Sequence, residues 1–153
     1  MDKYQMQQGK KKQIKNFKLP DFIYKLGIPQ SIAVDSTSLL YNGCTFILNN
    51  KKIIFRKAKI TPTKAGQFVT LYKRRTDRSI EPYSITDKFD LLVIESSIKG
   101  YFALPKLTLL TYGILSSGTN SGKRAFRIYS PEEQHLNQQA AKTQAWQEDY
   151  YAN

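Results

Sequence analysis

Ten cationic side chains and a single acid fall between Lys51 and Arg78, a local excess of 10 − 1 = +9 in a chain of 153 residues whose whole net charge is +12. Charge at that density is chemistry directed at a polyanion, since Lys and Arg neutralise phosphates or an acidic surface. Arg56, Lys57 and Lys59 stand close together, and Thr61, Thr63 and Lys64 follow in the loop "TPTKAG". Hydroxyls, an ammonium and the backbone N–H groups around Gly66 are the donors a phosphate needs. Gln67 and Lys73 extend the same surface along the next segment. The plainer account is a solvated sheet face whose charges keep an edge from pairing with other chains.

Two later stretches add to this set. Lys123, Arg124 and Arg127 flank the short run "GKRAFRIY", and "KTQAWQEDYY" brings Gln144, Trp146 and Gln147. Glutamine can read adenine edges and tryptophan can stack on a base, but both also suit a helix docked on a sheet. For Trp146 the core reading is favoured.

Catalytic chemistry finds less support. "SGTNSGKR" imitates a phosphate loop, yet Ser117 replaces the first glycine, Arg124 stands where a magnesium-binding hydroxyl belongs, and a strand follows instead of a helix. His135 is the only histidine and Cys44 the only cysteine, which leaves no zinc set and no Ser-His or Cys-His machinery. A metal-dependent nuclease would want two carboxylates and a lysine in an acid-x-Lys triplet. Here the corresponding strand reads Lys57-Ala58-Lys59, so a metal ligand is missing, although Asp35, Asp90 and Glu95 remain as acids.

The elements that must position these residues are legible in part. "LPDFIYKLGIPQ" reads as a short helix after Pro20, ended by Gly27 and Pro29. "CTFILNNKKIIFRKAKI" reads as two strands around Asn49-Asn50, residues that tolerate the positive φ of a tight hairpin. On the second strand Phe55, Lys57 and Lys59 share one face, and Ile54, Arg56, Ala58 and Ile60 the other. "TPTKAG" interrupts it, and "QFVTLYKR" resumes extended structure. "FDLLVIES" and "GYFALP" form another strand pair. "PKLTLLTYGIL" repeats Leu107, Leu110 and Leu115 at helical spacing, "KRAFRIYS" is a strand, and Ser130 with Glu133 is a capping box for a helix over the C-terminal residues. This order predicts a single α+β (mixed α/β) domain with a central, mostly antiparallel sheet flanked by helices.

Residues 1–18, with six Lys against one Asp, read as a basic flexible arm ahead of a globular domain over 19–153. A lone cysteine fits a reducing, cytoplasmic setting, and no run of eighteen apolar residues offers a membrane span.

The stretch "FRKAKITPTKAGQFVTLYKR" resembles the MepB-like family of small bacterial proteins, and the similarity continues through "FDLLVIE", "YFALPK", "GILSS", "GKRAFRIY" and "KTQAWQEDYY", over roughly residues 40 to 151. The resemblance implies a restriction-endonuclease-like core without the catalytic triplet, and nucleic-acid binding. It directs attention to Arg56, Lys59, Thr61, Thr63, Lys64, Gln67, Lys123, Arg124, Arg127, Gln144, Trp146 and Gln147, and it transfers no catalytic residue. The expectation is a non-enzymatic protein that grips DNA or RNA by its phosphate backbone, with no metal or cofactor. The alternatives are a nuclease, a module docking an acidic protein, and a basic arm touching anionic lipid.

Overall fold

A computed structural model describes residues 17–153; the expected basic arm therefore lies, except for Phe17 and Lys18, outside the described residues. Helix α1 (Asp21–Leu26) follows Pro20 and stops at Gly27, as the sequence predicts. The strands β1 (Gln30–Val34), β2 (Cys44–Leu48), β3 (Lys51–Lys57), β8 (Leu91–Glu95), β9 (Tyr101–Pro105) and β11 (Tyr151–Ala152) form one six-stranded sheet in the order β1-β2-β3-β8-β9-β11. Every pairing is antiparallel except β3 with β8. Asn49 and Asn50, with φ of 51° and 65°, make the tight turn between β2 and β3.

A parallel pair needs a long crossover, and the one between β3 and β8 carries the extra structure. Within it lie β4 (Lys59–Ile60), β5 (Gln67–Thr70), β6 (Lys73–Arg74) and β7 (Ile80–Glu81). Strands β4 and β5 join β10 (Ala125–Ile128) in a second sheet of order β10-β5-β4, while β6 and β7 make a small hairpin. Helices α2 (Lys106–Thr111) and α3 (Gln138–Glu148) complete the fold.

The six-stranded sheet is covered on both faces. Beneath it, Ile23 and Leu19 pack on Cys44, Phe46, Phe55 and Val93. Above it, Ile54, Leu92, Ile94 and Leu104 meet Val69 and Ile128 of the second sheet and Leu109 of α2. Two-sided burial explains why Ile53, Ile54, Phe55 and Arg56 of β3 are buried in succession and not in alternation. The α+β, single-domain, mostly antiparallel reading is correct.

Four local expectations need correction. The run from Lys51 to Ile60 is not one strand: it leaves the first sheet at Ala58, whose N–H still bonds the Glu95 carbonyl at 2.9 Å, and enters the second at Lys59. Leu107 is 70% exposed and Leu115 lies beyond the end of α2, which buries Thr108 and Leu109 instead, so the leucine spacing is not its apolar face. Ser130 and Glu133 do not cap the last helix. Glu133 spends its carboxylate on the Gly66 N–H at 2.7 Å, and α3 starts later, with the Asn137 side chain accepting from the Ala140 N–H. The helix also ends before the C-terminus, which returns as β11 beside β9.

Candidate nucleic-acid interface

The cationic block divides into charges paired within the fold and charges left open. On the first-sheet side Arg56 is 1% exposed and lies 3.5 Å from Asp35; its Nη1 donates to the Phe55 carbonyl at 2.8 Å. Gly43 leaves it room, because a Cβ there would sit 3.0 Å from Nη1 and 2.5 Å from the Ser38 Cβ. Burial pushes the neighbouring Cys44 thiol up to about 12, against the opposing pull of Arg56. Arg56 is thus an internal charge and reaches no outside partner. Lys57 is neutralised by Glu95 at 3.4 Å, Lys73 by Asp87 at 2.8 Å and Glu81 at 3.6 Å, and Arg75 by Glu81 at 2.7 Å. Hence three expected phosphate ligands are matched by carboxylates: Arg56 and Lys57 by acids from distant parts of the chain, Lys73 by its hairpin partner Glu81 and by Asp87.

On the second-sheet side the charges stay open. The register sets Lys59 of β4 opposite Phe68 of β5, and Phe68 opposite Arg127 of β10, so the three side chains form one row across the sheet. The Arg127 guanidinium lies 5.8 Å from the Phe68 ring, whose other neighbour is Tyr41 at 6.2 Å, edge-on. Lys59 sits 5.8 Å over that same Tyr41 ring. The opposite face of β5, with Gln67 and Val69, is turned into the core.

Arg127 also clamps the "TPTKAG" loop: its guanidinium donates to the carbonyls of Ala65 at 3.1 Å and Gly66 at 3.4 Å and to the Thr61 hydroxyl at 2.8 Å. With the Gly66 N–H already given to Glu133, the loop is not the open phosphate cradle expected of it. It is a braced turn, with Gly66 at φ +76°, that presents Thr63 and Lys64 to solvent.

Beyond Tyr41 the surface opens into a cleft of about 650 Å³ lined by Tyr41, Tyr72, Leu39, Arg74 and Arg78. Burial and the nearby Tyr72 both hold the Tyr41 phenol above its ordinary value. Tyr41, Phe68, Tyr72, Arg74 and Arg78 are site residues that sequence reasoning missed. Arg74 and Arg78 were visible in the block, but the aromatics that separate the cations come together only through the fold.

The three glutamines are structural. Gln67, 2% exposed, donates to the Ser96 hydroxyl at 2.9 Å and accepts from the Ser97 N–H at 2.7 Å. Gln147 is fully buried and pairs with the edge of β10, accepting from the Tyr129 N–H at 2.8 Å and donating to the Arg127 carbonyl at 2.9 Å. Gln144 donates to the carbonyls of Ser130 at 2.8 Å and Glu133 at 2.9 Å. None is free to read a base. Trp146 is half-buried, stacked on Tyr112 with ring centroids 3.9 Å apart, and both line a second cleft of about 350 Å³ that Lys123 and Arg127 also border. Arg124, exposed, lies on a third cleft beside Lys73, Arg75 and Glu81.

The candidate nuclease acids stay apart in use. Asp35 holds Arg56 and its own turn, Asp90 accepts from the Lys52 N–H at 2.8 Å, and Glu95 pairs with Lys57. Among the described residues no three His, Cys, Asp or Glu side chains gather closely enough to hold a metal.

The model of the family described as MepB-like matches residues 35–153. The chain belongs to the MepB-like family. A solved structure, "Crystal Structure of MepB", is similar to it at 30% identity with a TM-score of 0.80, covering 100% of this chain and 97% of that one. No curated protein matches the chain. The matched span of this MepB-like chain contains the first sheet apart from β1, the whole second sheet, the braced loop and the two aromatic clefts. No helix among the described residues is long and apolar enough to cross a membrane.

Proposed function

We propose that this MepB-like protein is a non-enzymatic nucleic-acid-binding protein whose contact surface is the open face of the β10-β5-β4 sheet, extended by Lys64 and by the Tyr41–Tyr72 cleft. The observation that carries this reading is the Lys59–Phe68–Arg127 row: an aromatic ring set between two cations across a sheet. Cations alternating with rings suit a flexible strand, whose phosphates take the charges while unpaired bases meet the rings. Among the described residues no carboxylate lies within the 4.0 Å of an ion pair from Lys59, Lys64, Arg74, Arg78 or Arg127, in contrast to Arg56, Lys57, Lys73 and Arg75.

Phosphate contacts position a polymer without reading its sequence, so low sequence specificity accompanies the proposal. The three glutamines that would have read base edges are occupied within the fold. The nuclease alternative finds no gathered carboxylates to hold a metal among the described residues, and no observation favours it.

The test is binding of fluorescently labelled single-stranded and duplex oligonucleotides, measured by anisotropy at several salt concentrations. The expected result is tighter binding of the single strand, with log affinity falling against log salt by roughly 0.7 per neutralised phosphate. Affinity indifferent to salt would reject the proposal.

A further inference from the structure

We propose that the cleft between β10 and α3 is a nucleotide pocket, taking a single nucleobase with its attached phosphate. Four features point there. First, Trp146 and Tyr112 are stacked at 3.9 Å with their planes 6° apart, and Tyr112 is 43% exposed, so an incoming planar ring can extend a stack already in place. Second, the volume of about 350 Å³ is at the small end of ligand sites, in keeping with one nucleotide and not a folded partner. Third, Lys123 stands at the cleft without a carboxylate in ion-pair range among the described residues, ready for an anionic group, and Thr143 and Gln139 add polar groups to the lining.

The fourth feature is the edge of β10 itself. Leu71 N–H bonds the Arg124 carbonyl at 2.8 Å, which fixes the alternation of the β5–β10 ladder and turns the main-chain groups of Arg127 away from β5. Gln147 takes the Arg127 carbonyl and the next outward N–H, that of Tyr129. The Arg127 N–H remains on that edge, beside the cleft, as a donor for a ring nitrogen or carbonyl.

The nucleotide has two possible sources: a free mononucleotide, or an unpaired nucleotide of a strand lying on the sheet face. The second source rests on the function proposed above, because the Lys59–Phe68–Arg127 row runs across the sheet to β10 and the cleft lies at that strand's outer edge. The first source does not depend on it.

Trp146 is the only tryptophan, so its emission reports on this cleft alone. The full-length protein is titrated with AMP, adenosine and inorganic phosphate while emission is followed, and AMP retention is measured independently by equilibrium dialysis. A labelled oligoadenylate is titrated in parallel by anisotropy. The expected result is saturable quenching by AMP, at least fivefold weaker binding of adenosine, and no response to phosphate. Tyr112→Ala, at an exposed position, should weaken AMP at least fivefold with the fold intact by circular dichroism. Lys59→Glu with Lys64→Glu should leave AMP binding unchanged while weakening the oligonucleotide.

Oligonucleotide binding with no AMP retained and no change in Trp146 emission would overturn the pocket while the sheet-face function stands. AMP binding with no oligonucleotide bound would support the pocket for free nucleotides and remove the strand. Neither ligand bound would overturn both.

Discussion

Two halves of one short sequence, "FRK" before Ala58 and "KI" after it, meet opposite fates. Before the break, Arg56 and Lys57 belong to a strand covered on both faces, and the fold answers each with an acid, Asp35 and Glu95. After it, Lys59 belongs to a sheet covered on one face only, and its neighbours across the register are a ring and another cation. The difference teaches that a run of positive residues is not yet a positive surface. A buried charge is tolerated only when paired, so Arg56 had to recruit Asp35, whereas Lys57, 41% exposed, meets Glu95 at the rim of the same sheet. An open face imposes no such demand, and its charge remains available to a partner.

The largest effect that could break this division is at the buried pair. Asp35→Ala leaves the Arg56 guanidinium interior and unpaired; the expected loss is about 3 kcal/mol in chemical denaturation, with the melting temperature lower by about 9 °C. Measured well below that temperature, oligonucleotide affinity should not change. A parallel loss of affinity in the folded variant would place Arg56 in the interface and erase the distinction between the two sheets. Next in size is Gln147→Leu, which strips a buried amide from the edge of β10 and orphans the Tyr129 N–H and the Arg127 carbonyl. A loss of about 2 kcal/mol is expected by the same measurement. Were Gln147 instead a base-reading residue, affinity would fall and stability would hold.

The open sheet predicts the reverse pattern. Lys59→Glu with Lys64→Glu should weaken single-strand binding at least tenfold at low salt, about 1.4 kcal/mol. The slope of log affinity against log salt should become shallower by roughly 1.4, two phosphates' worth. The melting temperature should stay within about 2 °C, since both side chains are exposed and unpaired. An unchanged slope would show that these lysines meet no phosphate.

The sequence disclosed the parts of the fold that depend on local chemistry. The Asn49-Asn50 turn, the helix between Pro20 and Gly27, and the strand pair β8–β9 were all readable because turn residues and apolar runs act within a few positions. What stayed hidden depends on distant partners. Arg56 looks like any surface arginine until Asp35, twenty-one positions away, is brought beside it. Glu133 carries the spacing of a helix cap, yet the fold sends it to the Gly66 N–H. Helix α3 has few apolar residues to betray its docking because Gln144 and Gln147 attach it by hydrogen bonds. The site was half legible for the same reason: its cations are contiguous in sequence, but Tyr41, Phe68 and Tyr72 reach them only through the register and packing of the second sheet.

The smallest effect sharpens the comparison at the boundary, where Lys73 follows the open sheet yet is fully paired. Burial alone would raise the Asp87 carboxyl, but hydrogen bonds from Lys73 and the Ser84 N–H, with the charges of Lys73 and Lys106, hold it below the ordinary aspartate range. The Lys73 ammonium is raised, chiefly by its hydrogen bond to Asp87. A depressed carboxyl stabilises the fold above its unfolded value and loses that contribution as pH falls through the folded one. A raised ammonium stabilises below its unfolded value and loses that contribution as pH climbs through the folded one. The pair therefore supports the fold across neutral pH and weakens at both extremes. For so exposed a pair the contribution is less than about 1 kcal/mol. Asp87→Asn should shrink the drop in stability between pH 6 and pH 3 by about that amount, while loosening Lys73, then held by Glu81 alone at 3.6 Å, toward a phosphate. A modest gain in strand affinity at neutral pH is the expected companion, and a loss instead would show that Asp87 holds Lys73 in place for the partner.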